Sequence, residues 1–130
     1  MIKLDNKGQV LVLFVCLLPI ILLISILVID ITNIYGEREK LDGINKMAIS
    51  YALDNLNSDN LKQEVNDLIL LNDKEIGEIL INIEGNTVEI YLEKYEVAYL
   101  ASSINIKAFQ VVSHYKGIID NTDKKIIRRR

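Results

Sequence analysis

From Gly8 to Ile29 the chain carries no charge, and most of its side chains are Leu, Val or Ile. About 20 helical residues cross roughly 30 Å of hydrocarbon, so Gln9 to Ile29 predicts a transmembrane helix. Pro19 falls in mid-span, removes a backbone hydrogen bond and predicts a kink. Neighbouring helices re-satisfy such a freed carbonyl, and Ser25 is the local candidate. The bend either serves packing in an assembly or is simply tolerated.

The helical period continues past Asp30. Ile34, Leu41, Ile44, Ala48, Tyr51 and Ala52 fall on one stripe of a 3.6-residue helix. Glu37, Glu39, Lys40, Lys46 and Asp54 occupy the opposite face. Residues 30–57 therefore predict an amphipathic helix continuing the span, weakened by Gly36 and Gly43 at about 1 kcal/mol each. Its stripe packs on the chain's own outer domain, on neighbouring subunits, or on both.

Asn57-Ser58-Asp59-Asn60 is a turn cluster. Asn60 and Gln63 fit an N-cap with a capping-box partner. Leu61, Val65, Leu68 and Ile69 predict a second helix ending near Asn72. From Gly77 the period changes to two. Ile79, Ile81 and Ile83 alternate with Leu80, Asn82 and Glu84, and Gly85-Asn86 is a hairpin signal. Val88, Ile90 and Leu92 then alternate with Glu89, Tyr91 and Glu93. Two antiparallel strands follow, one face apolar and one acidic. Val97 to Ser103 predicts a compact apolar connection with a helical turn. Ile104, Ile106, Ala108, Val112 and His114 share one face of a third strand.

The expected fold class is α+β. It comprises a long N-terminal helix (transmembrane half plus amphipathic half), a second short helix and a small antiparallel three-stranded sheet. The expected organisation is a basic cytoplasmic segment at 1–8, the span at 9–29 and the amphipathic helix at 30–57. A small extracytoplasmic α+β domain at 58–119 and a basic, disordered tail at 120–130 complete it.

Composition narrows the class further. At 130 residues, half of them hydrophobic, with mean hydropathy +0.21, the chain holds one small core and is not a disordered polymer. The net charge of −3 hides a partition. Residues 30–123 hold 17 acidic and 8 basic side chains, whereas Lys124, Lys125, Arg128, Arg129 and Arg130 crowd the last seven positions. An acidic body with a basic tail excludes a nucleic-acid binder. The tail is a solvated terminus, or it meets anionic lipid headgroups at about 1 kcal/mol per cation or an anionic cell-wall polymer. A 21-residue apolar core without a small-x-small cleavage site reads as a signal anchor rather than a cleaved secretory signal. Lys3, Lys7 and the terminal amine flank one side and Arg38, Lys40 and Lys46 the other, so the counts tie, but Lys7 abuts the span whereas Arg38 lies nine residues beyond Ile29. That predicts a cytoplasmic N-terminus and an extracytoplasmic domain.

Candidate chemistry is sparse. Cys16 is the sole cysteine and His114 the sole histidine, which excludes an intramolecular disulfide and a multi-His metal site. His114 with Ser102 or Ser103 forms no recognisable triad motif. The Asp/Asn cluster at 57–60 lacks the spacing and glycine of a calcium loop. No phosphate loop is present. The expectation is a non-enzymatic protein with no cofactor, no metal and no small-molecule substrate.

The N-terminal half carries a resemblance. Lys7-Gly8-Gln9-Val10, Leu13-Phe14, Leu17-Leu18-Pro19, Val28-Ile29-Asp30 and Ile34-Tyr35 occur in that order, followed by the alanine-bearing helix from Arg38 to Ala52. This pattern, over about residues 7–56, resembles the TadE/TadG-like tight-adherence (Tad) pilus-assembly proteins. The resemblance implies a pilin-like fold and a bacterial minor pilin-like (pseudopilin) subunit or assembly factor, in a single-pass cell-membrane setting. Its implied partners are membrane lipid, pilin subunits and other pilus-assembly membrane proteins. It further implies prepilin-peptidase cleavage between Gly8 and Gln9. Such substrates usually carry Glu at the fifth position after the cut, where this chain has Leu13. The alternative from a different class is a membrane-anchored binding module or accessory sensor that never enters a filament.

Overall fold

The computed structural model describes residues 6–103 and 108–130, apart from the side chains of Ala101 and Ser102. One helix, α1, runs unbroken from Asn6 to Asp54 and passes through Pro19. At 1.5 Å per residue it is about 70 Å long. Ser25 does not reach the carbonyl that Pro19 frees four residues upstream. Its hydroxyl donates to Ile21 O at 2.8 Å, one turn back.

The second half of α1 is the spine of the domain. Leu41, Ile44, Asn45, Ala48, Ile49, Ala52 and Leu53 are buried along it, and Ile34 is partly buried against the same core. The expected stripe is therefore displaced at one position. Tyr51 faces outward, where its hydroxyl donates to Glu64 at 3.2 Å, and Ile49 and Leu53 take the inward places.

Helix α2 spans Leu61–Asn72 and buries Leu61, Val65 and Ile69. Asn60 precedes it without a side-chain cap. The expected capping box does not form, because Gln63 turns to Asp67 at 3.4 Å. Ser58 donates instead to Glu64 at 2.8 Å and ties the loop to the first turn.

The sheet has four strands, not three, in the order β1-β2-β3-β4. They are β1 (Glu78–Glu84), β2 (Thr87–Glu96), β3 (Phe109–Asp120) and β4 (Asp123–Arg128), with a short helix α3 (Tyr99–Ser103) between β2 and β3. All neighbours pair antiparallel. The β1–β2 hairpin sets Ile83 against Val88, Ile81 against Ile90 and Ile79 against Leu92. Gly85 turns it with φ +58°, a conformation that suits glycine.

Two expectations about the chain's end are corrected. In β3 the face carrying Val112 and His114 points away from the helix, and Val111, Ser113, Tyr115 and Gly117 point inward. Ile104 and Ile106 lie outside the described residues. The segment expected as a disordered tail supplies β4. It returns through Asn121, whose φ of +56° is tolerated by asparagine, and it places Ile126 against the core.

Helix α1 lies across the inner face of β2 and β3. Gly117 makes this approach possible, since a Cβ there would collide with the Ile49 side chain and press on Leu53 at 3.0 Å. Asn45, fully buried, fastens helix to sheet. Its Nδ2 donates to Ile90 O at 3.0 Å on β2 and to Ser113 O at 3.1 Å on β3.

Candidate functional site

The first half of α1 is bare. Its most apolar 18-residue window has mean hydropathy 3.4 and contains no buried residue. Exposed apolar surface on that scale marks contact with a membrane or another protein. The helix is long and apolar enough to cross a membrane, which is consistent with single-pass anchoring. Gly8 and Gln9 lie in its first turns, Pro19 in its middle, and Cys16 on its exposed surface.

Where the apolar run ends, Asp30 is buried. Its two carboxylate oxygens accept the backbone N–H groups of Tyr99 at 2.8 Å and Leu100 at 2.7 Å. These are the first amides of α3, which have no partner within that helix. A carboxylate there satisfies two donors with charge-assisted bonds. Ile26 and Ile29 on α1 border a small cavity with Tyr99, Leu100 and Ser103. The short helix thus lies against the last turn of the apolar run.

Two turns further along, Lys94 forms a second junction. It follows Val88, Ile90 and Leu92 in the inward register of β2 and is only 3% exposed. Its ammonium donates to Glu37 of α1 at 2.8 Å and to Asp73, just past α2, at 2.9 Å. Glu96 lies at 3.0 Å and Glu75 at 3.6 Å. Burial works against the ammonium. Its hydrogen bonds to Glu37, Asp73 and Glu96 outweigh that penalty and hold its proton well above the usual lysine range. Burial likewise pushes the Asp73 carboxyl up. The bonds from Lys94 and from the Glu75 amide win, and its pKa lies below the ordinary value.

The terminal cations dock on acids. Lys124 contacts Asp54 at 2.6 Å and Ser50 at 3.1 Å, Arg128 reaches Asp42 at 3.6 Å, and Arg129 reaches Glu89 at 3.5 Å. Lys125 lies on β4 opposite Ile118, and Arg130 follows that strand. Arg38, Arg128, Arg129 and Arg130 border one basic depression with His114.

On the outer face, His114 Nε2 sits 2.7 Å from Glu89 Oε1. The Tyr91 ring meets the imidazole edge-on at 5.7 Å. The Tyr91 hydroxyl donates to Glu93 at 2.7 Å, and that bond pushes its pKa up to about 12. Ser103, one of the serines considered with His114, donates to Tyr99 O instead. Among the described residues no group of three or more His, Cys, Asp or Glu is arranged to hold a metal ion.

Lys94, Asn45 and the clamping role of Asp30 are the junction residues that reading the sequence missed. The register of β2 was the available signal for Lys94. Comparison with family models, with curated proteins and with solved structures finds no match to this chain.

Proposed function

We propose that the chain is a non-enzymatic, membrane-anchored minor pilin-like subunit or assembly factor of a Tad/type IV-like pilus, with its domain outside the bacterial cell membrane. One observation carries this reading. A single continuous helix is bare over its apolar first half and sheet-packed over its second. Such a helix presents a hydrophobic rod to other rods while a small rigid domain rides on its end. The resemblance of residues 7–56 to TadE/TadG-like proteins supplies the assembly context.

Cleavage between Gly8 and Gln9 would free the apolar rod at its end. The span packs on pilin or pilus-assembly helices, and Pro19 shapes that contact.

The test is cross-linking in native membranes. A photo-reactive residue replaces Leu13, Leu17 or Leu22, all exposed on the span. Adducts to pilin or pilus-assembly membrane proteins, together with loss of surface filaments on gene deletion, are expected. An intact mass lacking residues 1–8 adds that a prepilin peptidase reads the chain. A span that yields only lipid adducts, in cells whose filaments survive deletion, overturns the proposal in favour of an anchored binding module.

A further inference from the structure

We infer that α3 and the Val97–Ala98 connection before it, with the Tyr95 ring beside them, form a second membrane contact, an apolar foot seated in the headgroup–acyl boundary beside the span. The inference rests on the membrane anchoring of α1 proposed above. Its partner is the lipid bilayer itself.

Depth is the first argument. Asp30 is the first charge after the apolar run, so it marks the edge of the hydrocarbon. Both of its oxygens hold α3. Ile26 lies four residues earlier, about 6 Å deeper along the helix, yet it borders the same cavity as Tyr99 and Leu100. The short helix is therefore level with the last turn of the span. A membrane that covers Ile26 also reaches α3.

Surface chemistry is the second. From Val97 to Ser103 the chain has no charged residue. Val97 is 67% exposed and Tyr99 70% exposed, and Tyr95 at the end of β2 is 60% exposed. Tyr35, just beyond Asp30 on α1, is also exposed. Tyrosines at this level suit the membrane–water interface, where an apolar ring and a polar hydroxyl are both accommodated.

The third argument is polarity of the fold. The Gly85-Asn86 turn and the Asn121 turn lie at the far end of the sheet, with Lys124 against Asp54. The end of β2 and the start of β3, where Glu96 pairs with Phe109, point back toward the span. The exposed apolar groups of the loop thus gather at the membrane-facing end. Asp30 suits that depth because each of its oxygens accepts a backbone amide of α3.

The test uses the full chain in phosphatidylcholine–phosphatidylglycerol vesicles. Single cysteines are introduced at Val97, at Leu22 in the span and at Asn121 in the distal turn, each in a Cys16→Ser background, and labelled with an environment-sensitive fluorophore. Doxyl-labelled lipid and aqueous iodide serve as quenchers. The expected result is lipid quenching at Leu22 and at Val97, iodide quenching at Asn121, and a blue-shifted emission at Val97. Asp30→Ala should move the Val97 label toward iodide and leave the Leu22 label unchanged. Iodide quenching at Val97 with lipid quenching at Leu22 would overturn the foot and leave the anchor standing. Loss of lipid quenching at Leu22 would instead sink the anchoring. A Val97 label shielded from both quenchers would mean that a protein surface covers the loop, which also overturns the inference.

Discussion

Replacing Lys94 with methionine removes the ammonium that bonds the acids of three elements at one junction. Glu37, Asp73 and Glu96 each lie within 3.0 Å of the ammonium. Two such oxygens can be no more than about 6 Å apart, and at an effective dielectric near 20 each pair then repels by about 3 kcal/mol. Glu37 and Glu96 retain partial exposure and relax toward water, whereas Asp73, with a side chain 7% exposed, cannot. Removing one partner of a buried ion pair costs about 3–5 kcal/mol, and Lys94→Met should fall in that range. The assay is urea unfolding of the full chain in detergent micelles, read by the strand signal in circular dichroism. Glu75→Gln is the internal control. That carboxylate is 81% exposed at 3.6 Å, and its loss should stay within about 0.5 kcal/mol. Adding Asp73→Asn to Lys94→Met should recover part of the loss, since the two sites share one network. A Lys94→Met protein as stable as its parent would refute the view that this junction holds helix and sheet together.

Four further outcomes follow from the same geometry. Gly117→Ala should lose about 1–3 kcal/mol by overpacking against Ile49 and Leu53, whereas Gly36→Ala and Gly43→Ala, with open space around each, should gain about 0.5–1 kcal/mol in the same unfolding assay. Asn45→Ala should cost about 1–3 kcal/mol by removing the donor shared by Ile90 O and Ser113 O, and Asn45→Asp should cost more by aiming a carboxylate at both carbonyls. Asp73 and Glu93 have lowered folded-state pKa values, so their contribution is full above the ordinary carboxylate range and is lost as pH falls through the lowered values. Lys94 and Tyr91 have raised values, so theirs is full below about pH 10 and fades as pH rises, through about 12 for Tyr91; a pH series of urea midpoints should show a plateau between the two falls. Asp54→Lys should repel Lys124 and loosen the edge strand, read as faster amide exchange in residues 123–128 with little change in β1.

Local periodicity made the helices and the first hairpin legible. Ile79 to Leu92 alternates cleanly around a two-residue turn, and the register follows from that alone. The third strand resisted because Ser113 and Gly117 break the apolar pattern that Val111 and Tyr115 begin on its inner face. Ser113 and Gly117 look like outward positions until the close approach of α1 explains the glycine and Asn45 explains the serine. The fourth strand was hidden by charge. Lys124 and Arg128 read as solvent-seeking, but their partners Asp54 and Asp42 lie some seventy or more residues earlier, beyond any local pattern. Lys94 and Asp30 share that difficulty, since each is satisfied by groups far away in sequence. The bare span needed no tertiary knowledge, because its signal is composition and length.

The continuity of α1 couples the angular phase of the span to that of the domain. Asp30 and Lys94 grip the helix on either side of the segment between Ile31 and Gly36, whose Ile34 also rests on the core, so no swivel separates rod from sheet. A turn of the rod about its axis becomes a sweep of the sheet, as with a crank on a shaft. One residue inserted in that segment would rotate the two halves by about 100° relative to each other and carry Asp30 away from the amides of α3. The spacing between the end of the apolar run and the first core position, Leu41, is therefore a gear ratio. In the proposed assembly it would fix which side of the sheet faces a neighbouring rod.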